Sequence, residues 1–153
     1  MAETDQSLIE HAFFADLAAA HRPAVGLCAE AVHFEASRYL FHEGDAADWL
    51  YLIRHGRVAL EIAAPGKSAI IFETIGKGDV LGMFWLMPQA HWLHDARALD
   101  AVDAIAIEVA CLRRACEADH ALGYDLLKRF VPLLLRQLES AQLQLLDVYA
   151  HPN

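Results

Sequence analysis

The residues whose types and spacing could do chemistry lie in one stretch, "LGMFWLMPQAHWLHDARAL", residues 81–99. Its second residue is Gly82, which is followed by an apolar run that could form one helical turn, a short loop and a strand that carries Arg97. A glycine that admits a ligand to the backbone, helix-end amides and an arginine are the parts of a phosphate site. The loop itself contains no arginine. The stretch therefore has the outline of an anion pocket without the expected cation.

Catalytic and metal sites have weak support elsewhere. His91 and His94 stand three residues apart in the loop, but no nearby cysteine completes a metal or haem site. Ser37, Ser68 and Ser140 lie in no nucleophile-elbow sequence, and the chain has no glycine-rich loop of the P-loop or dinucleotide-binding type. We therefore expect neither an enzyme nor a metal protein, and we assign no catalytic residue.

The segment between residues 32 and 109 must position this stretch, and its pattern is typical of strands. Short apolar runs such as "RYLF", "WLYLIRHG", "RVALEIA" and "SAIIFETI" are separated by turn residues. The "APGK" turn between the last two runs predicts a hairpin. Many short strands at close spacing predict a mainly β protein, an antiparallel barrel or sandwich.

Helical patterns flank the strands, so that the whole chain, 1–153, reads as a single domain. Residues 5–20 predict an amphipathic helix, with a further short helical turn within 1–31, and residues 111–149 predict C-terminal helices. Pro132 should kink the last helix or mark its effective start. One face of that helix has a heptad seam, apolar at alternate steps of four and three, made of Leu127, Val131, Leu134, Leu138, Ala141, Leu145 and Val148. The seam predicts pairing with a second copy; packing on the chain's own barrel is the alternative.

Composition narrows the class of partner. A net charge of −9 with no strongly basic run argues against binding to DNA or to an anionic membrane. The N-terminus lacks the pattern of a signal peptide, and no apolar run reaches the roughly 18 residues of a membrane span, so we expect a cytoplasmic protein. Cys28, Cys111 and Cys116 match no zinc or redox spacing, and we expect inert thiols in a reducing compartment.

The order of these motifs resembles the cyclic-nucleotide-binding domain of the catabolite-activator-protein (Crp/Fnr-type) superfamily of bacterial regulators. The resemblance covers residues 13–149, and its most specific part is the glycine framework: Gly44 with Asp45, Gly56, Gly78 with Asp79, and Gly82. It implies a β jelly-roll (double-stranded β-helix) barrel over 32–109 with a phosphate-binding cassette at 81–96, and it makes the last helix the dimerisation helix.

The resemblance also implies a ligand set for that cassette, and this sequence departs from it. Family members that bind cyclic nucleotides carry Gly-Glu at the start of a short helix, for the ribose, and a loop arginine followed by Ser or Thr, for the phosphate. Gly82 fits the glycine, whereas Met83 stands in place of the glutamate. Counting back from Arg97 puts Trp92 at the arginine position and Leu93 after it. A buried cyclic phosphate without its arginine would cost several kcal/mol.

Three interpretations of the cassette remain open. Its apolar and aromatic residues, which include Phe84 and Trp85, could simply fill the former pocket. They could instead line a pocket for a more apolar or planar ligand, flanked by His91 and His94. A cyclic nucleotide could also be retained through Arg97 and backbone amides. We therefore expect no cofactor, with cyclic nucleotide doubtful.

The family's transcription regulators place a winged helix-turn-helix after the dimer helix, and no such pattern follows Tyr149 in this sequence. The sequence thus predicts a stand-alone sensory or regulatory module that forms a homodimer and acts on an unknown protein partner rather than on DNA or a membrane. The alternative is a true receptor for cyclic AMP or cyclic GMP with an altered cassette.

Overall fold

The computed structural model describes residues 10–150, in which eight strands form two antiparallel sheets. One sheet has the order β1-β8-β3-β6 and the other β2-β7-β4-β5. The strands are β1 (Ala29–Phe34), β2 (Tyr39–Phe41), β3 (Trp49–His55), β4 (Val58–Ile62), β5 (Ile70–Ile75), β6 (Val80–Leu81), β7 (Asp95–Ala98) and β8 (Val102–Glu108). The helices are α1 (Arg22–Gly26), α2 (Val109–Ala118) and α3 (His120–Ala150). The predicted jelly-roll barrel with flanking helices is confirmed.

Strand β3 is buried on both faces, which explains its unbroken apolar sequence. Because side chains alternate along a strand, Leu50 and Leu52 pack among the helices while Tyr51 and Ile53 enter the barrel interior. The same alternation operates in β8, where isoleucines face the helices and alanines face the interior. The small alanines leave room inside the barrel for aromatic side chains.

The predicted hairpin is confirmed, since β4 pairs with β5 from Val58↔Ile75 to Ile62↔Ile70. On its other side β4 pairs with β7, which places the strand after the cassette in the middle of the second sheet. The cassette therefore leaves the first sheet at β6 and enters the second sheet at β7.

Of the N-terminal helix predicted for residues 5–20, Glu10 is helical, but the prediction is wrong from residue 11 onward. Residues 12–16 form turns, and a short 3-10 segment, Ala19–His21, precedes α1. The N–H groups of Phe14 and Leu17 donate to carbonyls three residues earlier, at 3.0 Å each. Phe13, Phe14 and Leu17 are all buried in these turns. Residues 5–9 of the prediction lie outside the described part.

Two helices follow the barrel, as predicted, but they begin at Val109 and are separated at Asp119. The Asp119 carboxylate accepts hydrogen bonds from the N–H groups of Ala121 and Leu122, and so caps α3. α3 runs through Pro132 without a break, so the helix does not start there. Over residues 10–150, no helix combines the length and apolar character needed to cross a bilayer.

Only the first part of α3 packs on the barrel. Leu122, Leu126 and Phe130, four residues apart, are buried in the core between the helices and the first sheet. Beyond Phe130 every large apolar side chain of the helix except the partly buried Leu133 is exposed. The large apolar residues of the seam are therefore not packed on the chain's own barrel, which takes the stripe of Leu122, Leu126 and Phe130 instead.

The expectation of three inert thiols is also wrong, since Cys28 and Cys111 form a disulfide across 83 residues of sequence. The pairing of β1 with β8 brings them together: the Glu108 N–H donates to the Cys28 carbonyl at 2.9 Å, and Cys111 follows one helical turn later. Cys116 is free and buried, and burial raises the pKa of its thiol. No local motif could reveal a bond that depends on strand register.

Candidate functional site

A cavity of about 260 Å³ lies between the cassette, the second sheet and the exposed half of α3. The barrel contributes an aromatic and aliphatic wall, and α3 contributes a mostly polar one. The lining residues are Leu60, Phe72, Glu73, Val80, Leu81, Gly82, Met83, Phe84, Trp92, His94, Gln137, Ser140, Ala141 and Gln144. Part of the cassette thus lines a cavity, and about half of the cavity wall comes from elsewhere in the chain.

The backbone of the cassette is held in place by turns rather than by a helix. Residues 83–86 form a turn in which the Met87 N–H donates to the Phe84 carbonyl at 2.8 Å. The loop that follows is clasped to the turn after β2. There the Gly44 N–H donates to the Trp92 carbonyl at 2.8 Å, and the Trp92 N–H donates to the Asp45 carbonyl at 2.9 Å. Trp92 is therefore fixed by both of its backbone groups.

The side chain of Trp92 is inside the barrel, with only 3% of its surface exposed. Its ring stacks on Phe41 with a centroid distance of 3.5 Å and an interplanar angle of 6°. Phe84 meets it edge to face at 5.4 Å, and Tyr51 stacks at 6.4 Å. Burial raises the pKa of the Tyr51 hydroxyl. The position expected for the phosphate arginine is thus occupied by a packed indole.

Gly82 allows this packing. Its φ of +107° lies in the region that favours glycine, and a Cβ there would stand 3.1 Å from Leu50 Cα and 3.3 Å from the Trp92 ring. The family resemblance links this glycine with the approach of a ligand. In this structure, Gly82 instead lets the chain pass close to β3 and to the Trp92 side chain.

Arg97 does not line the cavity. It alternates along β7 with Ala96 and Ala98, which face the barrel interior, and so it lies on the opposite face of the sheet. There its guanidinium donates to the carboxylate of Glu61, which is only 2% exposed. Its place among the predicted pocket residues is therefore wrong, because strand alternation turns it away and a buried carboxylate holds it.

Two further predicted pocket residues lie elsewhere. Trp85 is buried on the helix side, where its ring packs against Phe130 at 5.1 Å. Leu93 is 71% exposed. Since residues 92 and 93 are neighbours in an extended loop, burial of Trp92 directs Leu93 outward. Gly82, Met83, Phe84 and Trp92 are the predicted residues that the structure does bring together.

Sequence reasoning missed the α3 wall and Glu73. The lining residues of α3 follow the spacing of one helical face: Gln137, Ser140, Ala141 and Gln144. The three polar residues among them form a stripe beside the apolar seam, and this stripe was the signal that could have found the wall. Glu73 is paired in register with Leu60, which faces inward, and so it faces the cavity from β5.

The charge on the cavity wall comes from Glu73. Among the described residues that line the cavity, Glu73 is the only one with a permanent charge, and none is Lys or Arg. Within residues 10–150, no hydrogen bond or ion pair engages the Glu73 carboxylate. His94 lies between Phe72 and Trp92 and is half-buried. The wall can therefore stack on a planar group and attract positive charge, but it offers no cation to a phosphate.

The two loop histidines do not share a site. His94 lines this cavity, whereas His91 is exposed and lines a separate one beside β3 and α2. In the part of the chain that the structure describes, no group of three or more His, Cys, Asp or Glu residues could hold a metal ion.

The sequence of this chain is similar to a known protein family and to a curated relative. Residues 31–119 match the family model of the cyclic nucleotide-binding domain. Among curated proteins, the chain is 24% identical over 135 residues to the HTH-type transcriptional regulator Cmr of Mycobacterium tuberculosis (strain CDC 1551 / Oshkosh), a match that covers 86% of this chain and 53% of the relative. The chain thus spans about half the length of the curated relative it matches.

Solved structures agree with the fold. A candidate cyclic nucleotide-binding protein of Geobacter metallireducens GS-15 is 28% identical, with a TM-score of 0.75 over 88% of this chain and 97% of the other. The N-terminal domain of a transcriptional regulator of Streptomyces coelicolor A3(2) is 25% identical, with a TM-score of 0.69 over 88% of this chain and 95% of the other. Both similarities extend over nearly the whole chain.

Proposed function

Because this chain belongs to the cyclic nucleotide-binding domain family, we propose that it is a regulatory sensor module whose cassette no longer takes a cyclic phosphate. One observation carries the proposal: the cavity presents Glu73 and no Lys or Arg, while Trp92 occupies the expected arginine position. Desolvating a phosphate beside an unpaired carboxylate would cost several kcal/mol with no compensating ion pair. The proposal includes no enzymatic step.

The second part of the proposal is a homodimer formed through α3. The large apolar seam residues from Leu127 to Val148 are between 37% and 64% exposed, and they continue on the part of the helix that the barrel does not cover. Monomers rarely leave an apolar stripe of this length in water. A second copy, which carries the same stripe, is the occupant that a heptad pattern fits.

The cavity and the proposed interface share the helix. Ala141 belongs to the seam and also lines the cavity, and Gln137, Ser140 and Gln144 extend the wall on either side of it. A molecule bound in the cavity would therefore contact α3 next to its partner helix and could change how the two helices meet. We propose that a protein partner reads this change, since a net charge of −9 disfavours DNA as a partner of these 153 residues.

A second candidate function is a cyclic-nucleotide receptor with an altered cassette. It is favoured by the family match over residues 31–119 and by the position of the cavity between barrel and helix. In that case backbone amides of the cassette would have to bind the phosphate, because Arg97 is engaged by Glu61 on the other face of the sheet.

Thermal unfolding with added nucleotide separates the two candidates. A ligand present at 100 times its dissociation constant stabilises a protein by about 2.7 kcal/mol, which for a domain of this size raises the melting temperature by roughly 5–10 °C. We expect no shift with millimolar cyclic AMP or cyclic GMP. A shift of that size that is kept in Arg97→Lys and lost in Gly82→Ala would instead establish a receptor that uses the cassette backbone.

A further inference from the structure

We propose that the cavity binds a planar aromatic molecule that is uncharged or positively charged, held between the aromatic wall of the barrel and the polar face of α3. This deepens the proposed function, on which it rests, because it names the chemical class that the altered cassette accepts. Its size limits the ligand: 260 Å³ lies just below the usual range of small-molecule pockets, about 300–1,000 Å³, and suits one or two fused rings.

The barrel side supplies surfaces for stacking. The rings of Phe72 and His94 meet at 76° with centroids 5.4 Å apart, and those of Phe84 and Trp92 meet at 75° and 5.4 Å. All four residues line the cavity, and within each pair the two rings stand nearly perpendicular to each other. A flat ligand can stack on such a wall, and the ring faces also favour a cation.

Charge gives the wall its selectivity. The Glu73 carboxylate faces the cavity from β5, opposite the inward-facing Leu60, and no residue among 10–150 pairs with it. Arg97, a permanent cation on β7 of the same sheet, is turned away toward Glu61. A cationic ligand gains a partner from this carboxylate, a neutral ligand gains nothing, and an anion is repelled.

The helix side supplies polar recognition. Gln137 and Gln144 each carry an amide that both donates and accepts, and the Ser140 hydroxyl lies between them on the same face. An amino or amidinium group in the plane of the ring can donate to Glu73 from one edge. A ring that carries such groups is therefore complementary to both sides of the cavity.

Three small molecules of nearly the same shape test the proposal: benzamidinium, benzamide and benzoate, which carry charges of +1, 0 and −1. We expect millimolar binding of benzamidinium by isothermal titration calorimetry, weaker binding of benzamide, and benzoate at least about tenfold weaker than benzamidinium. Glu73→Gln should remove the preference for benzamidinium over benzamide while both still bind. Glu139→Gln, an exposed change on α3 that does not line the cavity, should leave the order unchanged.

Several outcomes would overturn the proposal. Benzoate binding as tightly as benzamidinium would exclude the charge selectivity, and an order unaffected by Glu73→Gln would place any binding elsewhere. Failure of all three probes to bind at millimolar concentration would mean that the cavity is a packing gap. That last result leaves the proposed function standing, whereas a nucleotide-dependent thermal shift would defeat the proposed function itself.

Discussion

Reduction of the Cys28–Cys111 disulfide should cost this protein a large part of its stability. The bond closes a loop with a sequence separation of 83 residues, which includes the whole barrel from β1 to β8. In the chain-entropy model, a loop of this length restricts the unfolded chain by about 4–5 kcal/mol at 25 °C. Domains of this size are stable by only about 5–15 kcal/mol, so the expected loss is a third or more of the total.

Urea unfolding of the oxidised and reduced protein measures the effect. We expect a lower midpoint after reduction, and a fall in melting temperature of roughly 8–20 °C at 2–4 °C per kcal/mol. Thiol titration in denaturant counts the free cysteine thiols of each sample. It should find only Cys116 before reduction and all three cysteines afterwards.

The variant Cys116→Ala is the matched control. It removes the free thiol and its possible exchange reactions, and we expect reduction to cost it as much as it costs the wild type. If reduction leaves the unfolding midpoint of either protein unchanged, the loop-closure argument fails. Three titratable thiols in protein purified without reductant would show that the two sulfurs are neighbours without a bond.

Two further predictions concern α3. Leu138→Asp puts a charge into the proposed seam and should turn a dimer into monomers or aggregates. Gln142→Asp, an exposed change off the seam, should leave the dimer intact. A wild-type mass near 17.0 kDa in sedimentation equilibrium at micromolar concentration would refute the dimer. Burial alone would raise the pKa of Asp125, but hydrogen bonds from His21 and from a backbone N–H lower it below its usual value. The stability that Asp125 contributes should therefore be complete above about pH 4, and it should be lost as the pH falls through the lower pKa of the folded state. The difference in urea midpoint between the wild type and Asp125→Asn should accordingly shrink below pH 4. A difference that stays constant down to pH 2 would contradict this.

The strands of this protein could be predicted because their signals are local. In "WLYLI" and "VALEI" the apolar residue types and the flanking turns act within a few residues, and the structure has strands there, Trp49–His55 and Val58–Ile62. The heptad spacing of the last helix is local in the same sense, and α3 indeed extends to Ala150. The predicted N-terminal helix does not continue past Glu10 for the opposite reason, since burial of Phe13 and Phe14 against distant core residues overrode a weak helical pattern.

The sequence alone also determined that residues 81–96 contain neither Arg nor Lys. Only the tertiary structure decided which side chains line the cavity. The side of a sheet on which a residue lies depends on register, and a shift of one residue exchanges the two faces. Register turned Arg97 away from the cavity and aligned Glu73 toward it, and it joined Cys28 to Cys111. The path of α3 brought Gln137 and Gln144 to the same cavity from another part of the chain, through packing that no sequence pattern encodes.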